Sequence, residues 1–168
     1  ALQLVPGWKT LYMNQVLSDS NLPPLSPGHL LGTDHLGRDL AWRLVAGLGV
    51  SLEMSLAVTS ISALLGLTLG ILAGFYSERI DKLVNAIIDV TWAFPTLLLA
   101  VVFAGALKPG VMPVILALSL VGWASFARIV RGEVMSLRQQ EYVLASQVLG
   151  YRRAVIAIRH VLPNLIPV

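Results

Sequence analysis

The chain has 168 residues, of which 56% are hydrophobic and only 12% are charged, and its mean hydropathy is +0.76. Soluble domains carry about 25% charged residues, so this composition excludes a soluble globular domain and predicts a membrane chain. The absence of cysteine excludes disulfides and thiolate metal sites, and the net charge of +3 is distributed by membrane side rather than gathered on a face that could bind nucleic acid.

Residues 1–50 predict an external loop. Pro23-Pro24 and Pro27-Gly28 are typical of extended and turn geometry, and the segment is too polar to span a bilayer. No charged start followed by a short apolar run and a cleavage site precedes it, so we expect no signal peptide and a chain that begins inside a longer protein. Residues 40–49 predict a short surface helix with Trp42 as an interfacial anchor.

Three apolar segments predict transmembrane spans at about residues 52–75, 83–107 and 111–127. At about 1.5 Å per residue, the first two are long enough for a hydrocarbon core of roughly 30 Å, and the third is shorter. The connections at 76–82 and 108–110 are tight, so neighbouring spans should be antiparallel. The predicted fold class is an all-α polytopic membrane protein, with residues 128–163 forming helices outside the bilayer and 164–168 starting a further span.

The basic residues predict the orientation, because cytoplasmic loops carry an excess of lysine and arginine. With the 76–82 loop inside, eight basic residues lie inside and four outside. The inner set is Arg79, Lys82, Arg128, Arg131, Arg138, Arg152, Arg153 and Arg159, and the outer set is Lys9, Arg38, Arg43 and Lys108. We expect Arg128 and Arg131 to close the third span, where cations suit a helix C-terminus and reach lipid headgroups.

Small residues recur every fourth position on the first span, at Ser62, Gly66, Gly70 and Gly74. Such a stripe allows another helix to approach closely, which lipid alone does not require. The partner is either a helix of the same bundle or a second subunit, and the sequence leaves both open.

The second span contains an ionisable residue, Asp89, followed by Trp92, Phe94 and Pro95. A carboxylate at that depth faces protein or water. It is either a gate or pathway residue, or it lies near the cytoplasmic interface and pairs with a basic group. Pro95 should kink the helix just before it, and the bend either shapes a path or fits curved neighbours.

Residues 139–149 predict an amphipathic helix at the membrane surface. Tyr142, Ala145, Ser146 and Leu149 share one face at i, i+3, i+4 and i+7, which leaves a shallow notch between two large side chains. Gly150 is placed to end this helix in a left-handed conformation, and residues 151–161 predict a second short helix. Physical chemistry alone permits a helix that simply lies on the membrane.

The spacing around Gly150 resembles the cytoplasmic loop of ABC importer permeases. That loop reads Glu-Ala-Ala, three residues, Gly, nine residues, an apolar residue, one more, then Leu-Pro. Residues 144–146 and 160–163, LAS and HVLP, keep every interval. Leu144 stands in place of the glutamate and His160 in place of the apolar residue, so shape and small residues carry the likeness rather than a charge.

Three further segments resemble the branch that imports dipeptides, oligopeptides and nickel. Residues 31–39 read LGTDHLGRD and resemble its Leu-Gly-Thr-Asp-x-x-Gly-Arg-Asp signature ahead of a span. Residues 89–100, DVTWAFPTLLLA, and the pair GW at 122–123 with RIVR at 128–131 also fit. The resemblance covers residues 22–168, and by comparison the chain starts after the family's first span and stops as the fifth begins near 162–164.

The resemblance implies a permease subunit, in a bacterial or archaeal inner membrane, with the helical bundle of type I ABC importers. Implied partners are two cytoplasmic ATPases, a second permease subunit, an external solute-binding protein and membrane lipid, with no cofactor. The implied ATPase-coupling residues are Glu141, Tyr142, Ala145, Ser146, Leu149, Gly150, Leu162 and Pro163. The implied external motif residues are Gly32, Thr33, Asp34, Gly37, Arg38 and Asp39. No G-x-x-x-x-G-K-[ST] sequence is present, so ATP hydrolysis is expected in partner subunits and the chain is not expected to be an enzyme.

Two rival functions compete with transport. A membrane enzyme would need convergent catalytic groups, and only His29, His35 and Asp34 suggest a metal cluster, on a loop where histidines are usually solvated. A channel or scaffold would oligomerise through the glycine stripe. The sequence ranks the importer first, the scaffold second and the enzyme last.

Overall fold

A computed structural model describes residues 8–106 and 109–165 of the chain. Seven α-helices and no strand occur within these ranges, with isolated β-bridges at Ser26↔His29 and Thr33↔Asp39, in agreement with the predicted all-α class. The helices are α1 Trp8–Met13, α2 Leu40–Phe75, α3 Glu78–Trp92, α4 Thr96–Ala106, α5 Val111–Leu137, α6 Glu141–Val148 and α7 Arg153–Ile156. Leu107 and Lys108, which end the predicted second span and start the next connection, lie outside the described residues, as do 1–7 and 166–168.

Two compact units divide the chain, residues 1–55 and residues 56–168. In the first unit, the predicted loop is a series of turns between α1 and α2. A short 3₁₀ helix at Leu17–Asp19 is followed by tight turns in which Gly28, Gly32 and Gly37 adopt positive φ. Residues of the loop fold onto one another through backbone hydrogen bonds, such as that from the N–H of Thr33 to the carbonyl of Leu22 at 3.2 Å.

Helix α2 is a single helix of 36 residues, about 54 Å long at 1.5 Å per residue. The separate surface helix predicted at 40–49 is therefore wrong, because those residues form the first turns of α2. No proline interrupts the segment, and Gly47 and Gly49 do not end the helix. The helix is longer than the roughly 30 Å hydrocarbon core that it would need to cross.

The predicted second span is two helices, α3 and α4, bent by 89° with respect to each other. The break falls at 93–95, where the kink predicted before Pro95 becomes a full interruption. Proline has no N–H to donate and disfavours helical geometry for the residue before it, Phe94. The carbonyl of Pro95 then accepts the N–H of Leu99 at 3.1 Å and starts α4.

Helix α5 ends at Leu137, ten residues beyond the predicted end at 127. Residues 128–137 include no proline, so the helix continues through the arginines that were expected to close it. Two helices, α2 and α5, are long and apolar enough to cross a membrane in the described part of the chain, and a third crossing is counted if α3 and α4 form one broken span.

Two buried clusters hold the second unit together. The first joins α2, α3 and α5, and the second joins the ends of α2 and α5 to the segment from α6 onward. Members of the first are Ala73, Val84, Ile88, Trp123, Ala124 and Ala127. Members of the second are Phe75, Val134, Val143, Ile156, Ala157 and Val161.

Candidate functional site

Helix α6 and the turn after it form the surface segment predicted around Gly150. The helix begins after Gln140, whose carbonyl accepts the N–H groups of Val143 and Leu144 at 3.0 Å. Gly150 has φ of +80°, the left-handed conformation that the sequence predicted. Its N–H donates to Gln147 O at 3.0 Å, and the N–H of Tyr151 donates to Ser146 O at 3.2 Å. This pair of bonds is a Schellman motif, which satisfies the last carbonyls of α6 and redirects the chain.

Helix α6 has a different buried face from the one expected. Val143 is fully buried and Ser146 is 7% exposed, whereas Ala145 beside it is exposed. Ser146 was predicted to share the outer notch with Ala145, but it faces inward, and its hydroxyl donates to the carbonyl of Tyr142 at 2.8 Å. Burial of Ser146 therefore leaves no unpaired hydroxyl, since its own helix accepts the hydrogen bond.

The outer face of α6 is apolar. Apart from Glu141 and Gln147, five side chains of the helix and its C-cap are exposed, and Val148 is the most exposed of them at 88%. These are Tyr142, Leu144, Ala145, Val148 and Leu149. We call them the outer face of α6. A contiguous exposed apolar surface of this kind is typical of a protein or membrane contact.

The inner face of α6 is fixed to the ends of the two long helices. Val143 packs in the second cluster with Phe75, the last residue of α2, and Val134 near the end of α5. Ile156 of α7 completes the contact from the other side of the Gly150 turn. Helix α6 therefore packs directly against the ends of both α2 and α5, and closely packed interiors transmit strain.

The segment after Gly150 is more irregular than the predicted second short helix. Helix α7 continues as a π-helical turn, Ala157–Val161, and then as a 3₁₀ turn, Leu162–Leu165. Pro163 was expected to close the segment, but the helical path passes through it. The widened π turn precedes the proline, whose ring would clash with the carbonyl of residue 159 in a regular helix.

The glycine stripe of α2 faces α5 of the same chain. A Cβ atom on Gly66 would lie 2.3 Å from Cβ of Phe126, and one on Gly70 would lie 2.8 Å from Cβ of Val130. One on Gly74 would lie 2.9 Å from Cβ of Val134. The two backbones approach so closely that side chains larger than hydrogen do not fit, which is the packing that small residues permit between membrane helices.

Ser62 and Gly122 extend this contact toward the start of α5. The hydroxyl of Ser62 donates to Ser119 O at 3.4 Å, and a Cβ on Gly122 would lie 2.8 Å from that hydroxyl oxygen. Of the two partners that the sequence left open for the stripe, the one present here is a helix of the same chain.

Two arginines of α5 pair with carboxylates of α3. Arg131 forms a two-point contact with Asp81, including Nη2 to Oδ2 at 2.8 Å. Arg128 Nη2 lies 2.9 Å from Asp89 Oδ1, and its Cζ lies 3.9 Å from the centre of the Trp92 ring. The expectation that these arginines serve only as terminal charges is wrong, because α5 runs past them and antiparallel α3 brings acids to both.

The two ion pairs differ in exposure. The side chains of Arg131 and Asp81 are 24% and 21% exposed, and Asn85 donates a further hydrogen bond to Asp81 at 2.9 Å. Asp89 is 69% exposed in its pair with Arg128. An exposed pair contributes about 0–1 kcal/mol, so the Asp81–Arg131 pair is the stronger link between α3 and α5.

The external motif residues build the loop that contains them. Asp34 accepts the N–H groups of Leu36 and Arg38 at 2.9 and 3.0 Å and also contacts the guanidinium groups of Arg38 and Arg43. Burial acts to raise its pKa, but these donors outweigh that effect and lower the pKa of Asp34 to about 2. A Cβ on Gly37 would lie 1.8 Å from the carbonyl oxygen of Val16, so only glycine fits this turn.

Asp39 caps the start of α2. Its Oδ1 accepts the N–H of Trp42 at 3.1 Å, and its Oδ2 lies 2.7 Å from Nδ1 of His29. Burial opposes ionisation, yet the Trp42 N–H and His29 lower the pKa of Asp39. The hydroxyl of Thr33 similarly accepts the N–H of Leu22 at 2.9 Å. The motif therefore stabilises the folded loop and caps the start of α2.

No group of three or more histidine, aspartate or glutamate side chains in the described ranges is arranged to hold a metal ion. His29 contacts Asp39, and Asp34 is engaged by arginines, so the cluster of His29, His35 and Asp34 suggested by the sequence is not assembled.

Comparison with known proteins identifies relatives that cover nearly the whole chain. Residues 66–168 match the family described as "Binding-protein-dependent transport system inner membrane component". The chain is 38% identical over 153 residues to the oligopeptide transport system permease protein OppC of Bacillus subtilis, which covers 91% of this chain and 50% of that protein.

Two further relatives carry different transport names. The dipeptide transport system permease protein DppC of Bacillus subtilis is 39% identical over 152 residues, covering 90% of this chain and 47% of that protein. The nickel transport system permease protein NikC of Escherichia coli is 41% identical over 145 residues, covering 85% and 52% respectively. The chain spans about half the length of the curated relatives that it matches.

Proposed function

Since the chain belongs to the family of binding-protein-dependent transport system inner membrane components, we propose that it acts as a permease subunit of an ATP-driven importer in a bacterial or archaeal inner membrane. The proposed solutes are dipeptides, oligopeptides, nickel or metal chelates, by similarity to relatives named for peptide and nickel transport. The proposed partners are two cytoplasmic ATPases, a second permease subunit and an external solute-binding protein.

The observation that carries this proposal is the two-sided construction of α6. Its outer face is apolar and uncovered by the described part of the chain, while its inner face is packed through Val143 onto the ends of α2 and α5. Movement of an ATPase seated on the outer face would therefore be transmitted to the two long helices. The solute path would open alternately to the two sides of the membrane as those helices rock.

Within the segment, the residues take separate roles. Tyr142, Ala145 and Leu149 form the proposed seat for the ATPase, with Glu141 at the exposed start of the helix. Ser146, which faces inward, supports α6 from within instead of meeting the partner. Gly150 sets the angle between α6 and the helix that follows.

Leu162 and Pro163 lead from this segment toward the next span. Both lie in the 3₁₀ turn that follows the π turn. Asp89, Trp92, Phe94 and Pro95 are proposed as pathway or gate residues, because they flank the break between α3 and α4. Mobile elements of transport and allosteric proteins commonly hinge at such interruptions.

Uptake by the complete importer tests the coupling role of α6. Ala145→Trp places a bulky ring on the proposed seat, and we expect it to abolish uptake while the subunit still inserts into the membrane. Ala106→Trp is the matched control, because Ala106 is exposed near the start of α5, whereas α6 follows its end about 40 Å away. Normal uptake by Ala145→Trp would contradict the assignment.

Substitution of Gly150 provides a second test, which depends on the backbone conformation at this residue. A Cβ at this position meets no atom within 4 Å, so substitution costs only the left-handed backbone conformation. Asparagine tolerates that conformation far better than valine. We expect Gly150→Asn to retain most uptake and Gly150→Val to lose it, while equal loss in both variants would show that the angle at Gly150 is not the property that matters.

The alternative of a scaffold or channel that oligomerises through the glycine stripe is not favoured. Gly66, Gly70 and Gly74 are covered by α5 within the chain, and the relatives are permease proteins. Co-purification discriminates between the two: stoichiometric recovery with an ATP-hydrolysing subunit supports the importer, and its consistent absence supports the scaffold.

A further inference from the structure

A cavity of about 250 Å³ opens where the two long helices end. Its volume equals that of about eight water molecules in the liquid, enough for a phosphate group with some of its hydration. It lies between the last residue of α2, the residue that caps α5 and the turn after α6. The lining residues are Phe75, Arg138, Gln147, Tyr151, Arg153 and Ile156.

The lining carries two guanidinium groups and no carboxylate. Arg153 donates through Nη1 to the carbonyl of Tyr76 at 3.0 Å, which orients the group and leaves its other N–H donors without a protein acceptor among the described residues. Arg138 makes no side-chain hydrogen bond or ion pair in those same ranges. Gln147 and Tyr151 add neutral donors, and the buried side chains of Phe75 and Ile156 form an apolar wall.

These two arginines contrast with those of α5. Arg128 and Arg131 are neutralised by Asp89 and Asp81, so their charge is compensated within the chain. Arg138 and Arg153 are exposed, form no ion pair with an acid in the described residues, and line the same cavity. Guanidinium groups bind phosphate oxygens through paired N–H donors, and the interaction is strengthened by the charge of both partners.

We propose that this cavity binds a phosphate group. Two sources carry the same chemistry: the headgroup of an anionic phospholipid, or a soluble phosphate in the cytoplasm. The lipid source is consistent with the position of the cavity at the ends of the apolar helices, where headgroups lie, and basic pockets at that level attract anionic lipids. This inference concerns binding alone and does not depend on the transport function.

The test uses the complete protein in nanodiscs. In the first arm, phosphatidylglycerol is mixed into a phosphatidylcholine bilayer, and native mass spectrometry counts the phosphatidylglycerol molecules retained by the protein. In the second arm, inorganic phosphate is titrated into protein in pure phosphatidylcholine nanodiscs and binding is measured by calorimetry. Retention in the first arm assigns the lipid source, and binding in the second assigns the soluble source.

Two double variants that remove the same charge distinguish binding in the cavity from attraction by surface charge. The double variant Arg138→Gln/Arg153→Gln should weaken binding by roughly 25-fold, since each basic group contributes about fivefold. The control, Arg152→Gln/Arg159→Gln, removes the same charge from exposed residues that do not line the cavity and should bind as the wild type does.

The single variant Arg138→Gln guards against misfolding, because among the described residues this side chain makes no hydrogen bond or ion pair that its loss could break; we expect binding about fivefold weaker. Absence of binding by the wild type in both arms overturns the proposal. Equal losses in the cavity variant and its control overturn it as well, since they would show that the anion is attracted by surface charge alone.

Discussion

Replacing Gly66 with alanine tests the close packing of α2 against α5. The added Cβ would lie 2.3 Å from Cβ of Phe126 and 2.8 Å from the backbone nitrogen of Ala127. Ordinary contacts begin at about 3.4 Å, so the helices must separate by roughly 1.1 Å. A change of rotamer cannot relieve this clash, because the opposing atoms belong to a backbone and to a Cβ. Overpacking of this kind costs about 1–3 kcal/mol.

The helix propensity of alanine offsets part of that cost. A Cβ about 1.1 Å inside contact distance belongs to the upper part of that range, at about 2–3 kcal/mol. Glycine in a helix interior is about 1 kcal/mol less favourable than alanine, so the net destabilisation by Gly66→Ala is about 1–2 kcal/mol. At about 2–4 °C per kcal/mol for a chain of this size, the midpoint of thermal unfolding should fall by roughly 2–8 °C. The measurement is thermal unfolding of the purified complete protein, followed by tryptophan fluorescence in detergent.

Gly47 and Gly132 provide matched controls. Gly47 lies on α2 itself and Gly132 on α5, and a Cβ on either meets no atom within 4 Å. Alanine at these positions should leave the midpoint unchanged or raise it, because only the propensity gain applies. If Gly66→Ala also leaves the midpoint unchanged or raises it, the close approach of α2 and α5 at Gly66 is refuted.

Two further predictions concern charged groups. A double-mutant cycle with Asp81→Asn and Arg131→Gln should give a coupling energy of about 1.5–3 kcal/mol in thermal or denaturant unfolding, since these are hydrogen bonds between charged, half-buried groups. The exposed pair of Glu78 and Lys82 should give less than about 0.5 kcal/mol in the same cycle, and equal coupling in both cycles would contradict the difference in burial. The external loop should also resist acid until its aspartates are protonated. Because folding lowers the pKa of Asp34 from 3.8 to about 2, the stabilisation is complete at neutral pH and is lost as the pH falls through that interval. Protease protection of residues 21–39 should therefore persist to about pH 4 and disappear near pH 2, and Asp34→Asn should weaken protection at pH 7; loss of wild-type protection above pH 5 would contradict the assignment.

Much of the architecture follows from the sequence because it depends on local rules. The apolar segments, the left-handed Gly150 and the interruption at Pro95 each depend on the properties of a few neighbouring residues. The lengths of the helices and the angles between them depend on more distant residues. A proline predicts a disturbance of the helix, but the 89° angle depends on how α4 packs against its neighbours, which no local pattern contains.

A misplaced helix end explains two of the errors together. An end of α5 at residue 127 would make Arg128 and Arg131 terminal charges. Because the helix continues to Leu137, they lie about two to three turns before its end and meet Asp89 and Asp81 across an antiparallel contact. The spacing of eight residues between the two acids was visible in the sequence, but the arginines are three apart, and only the crossing of α3 and α5 brings both pairs into register.

The error in α6 has a different origin. The predicted face grouped Ala145 with Ser146 because they follow Tyr142 at i+3 and i+4, but these two adjacent residues point about 100° apart and lie on opposite flanks of that face. Burial follows the larger apolar gain, so Val143 faces the core and Ser146, three positions later, accompanies it. The spacing of Val143 and Ser146 was the signal that could have identified the inner face.

These contacts hold the helices of the second unit together to different degrees. The stripe of Gly66, Gly70 and Gly74 locks α2 to α5 at backbone distance, and Val143 fastens α6 to the ends of both. Helix α3 also packs in the first cluster, through Val84 and Ile88. Its C-terminal part, however, carries the exposed ion pair between Asp89 and Arg128 and is followed by the break at Pro95. We therefore expect a force applied at α6 to move α2 and α5 as one body, with the change in shape absorbed at the junction of α3 and α4.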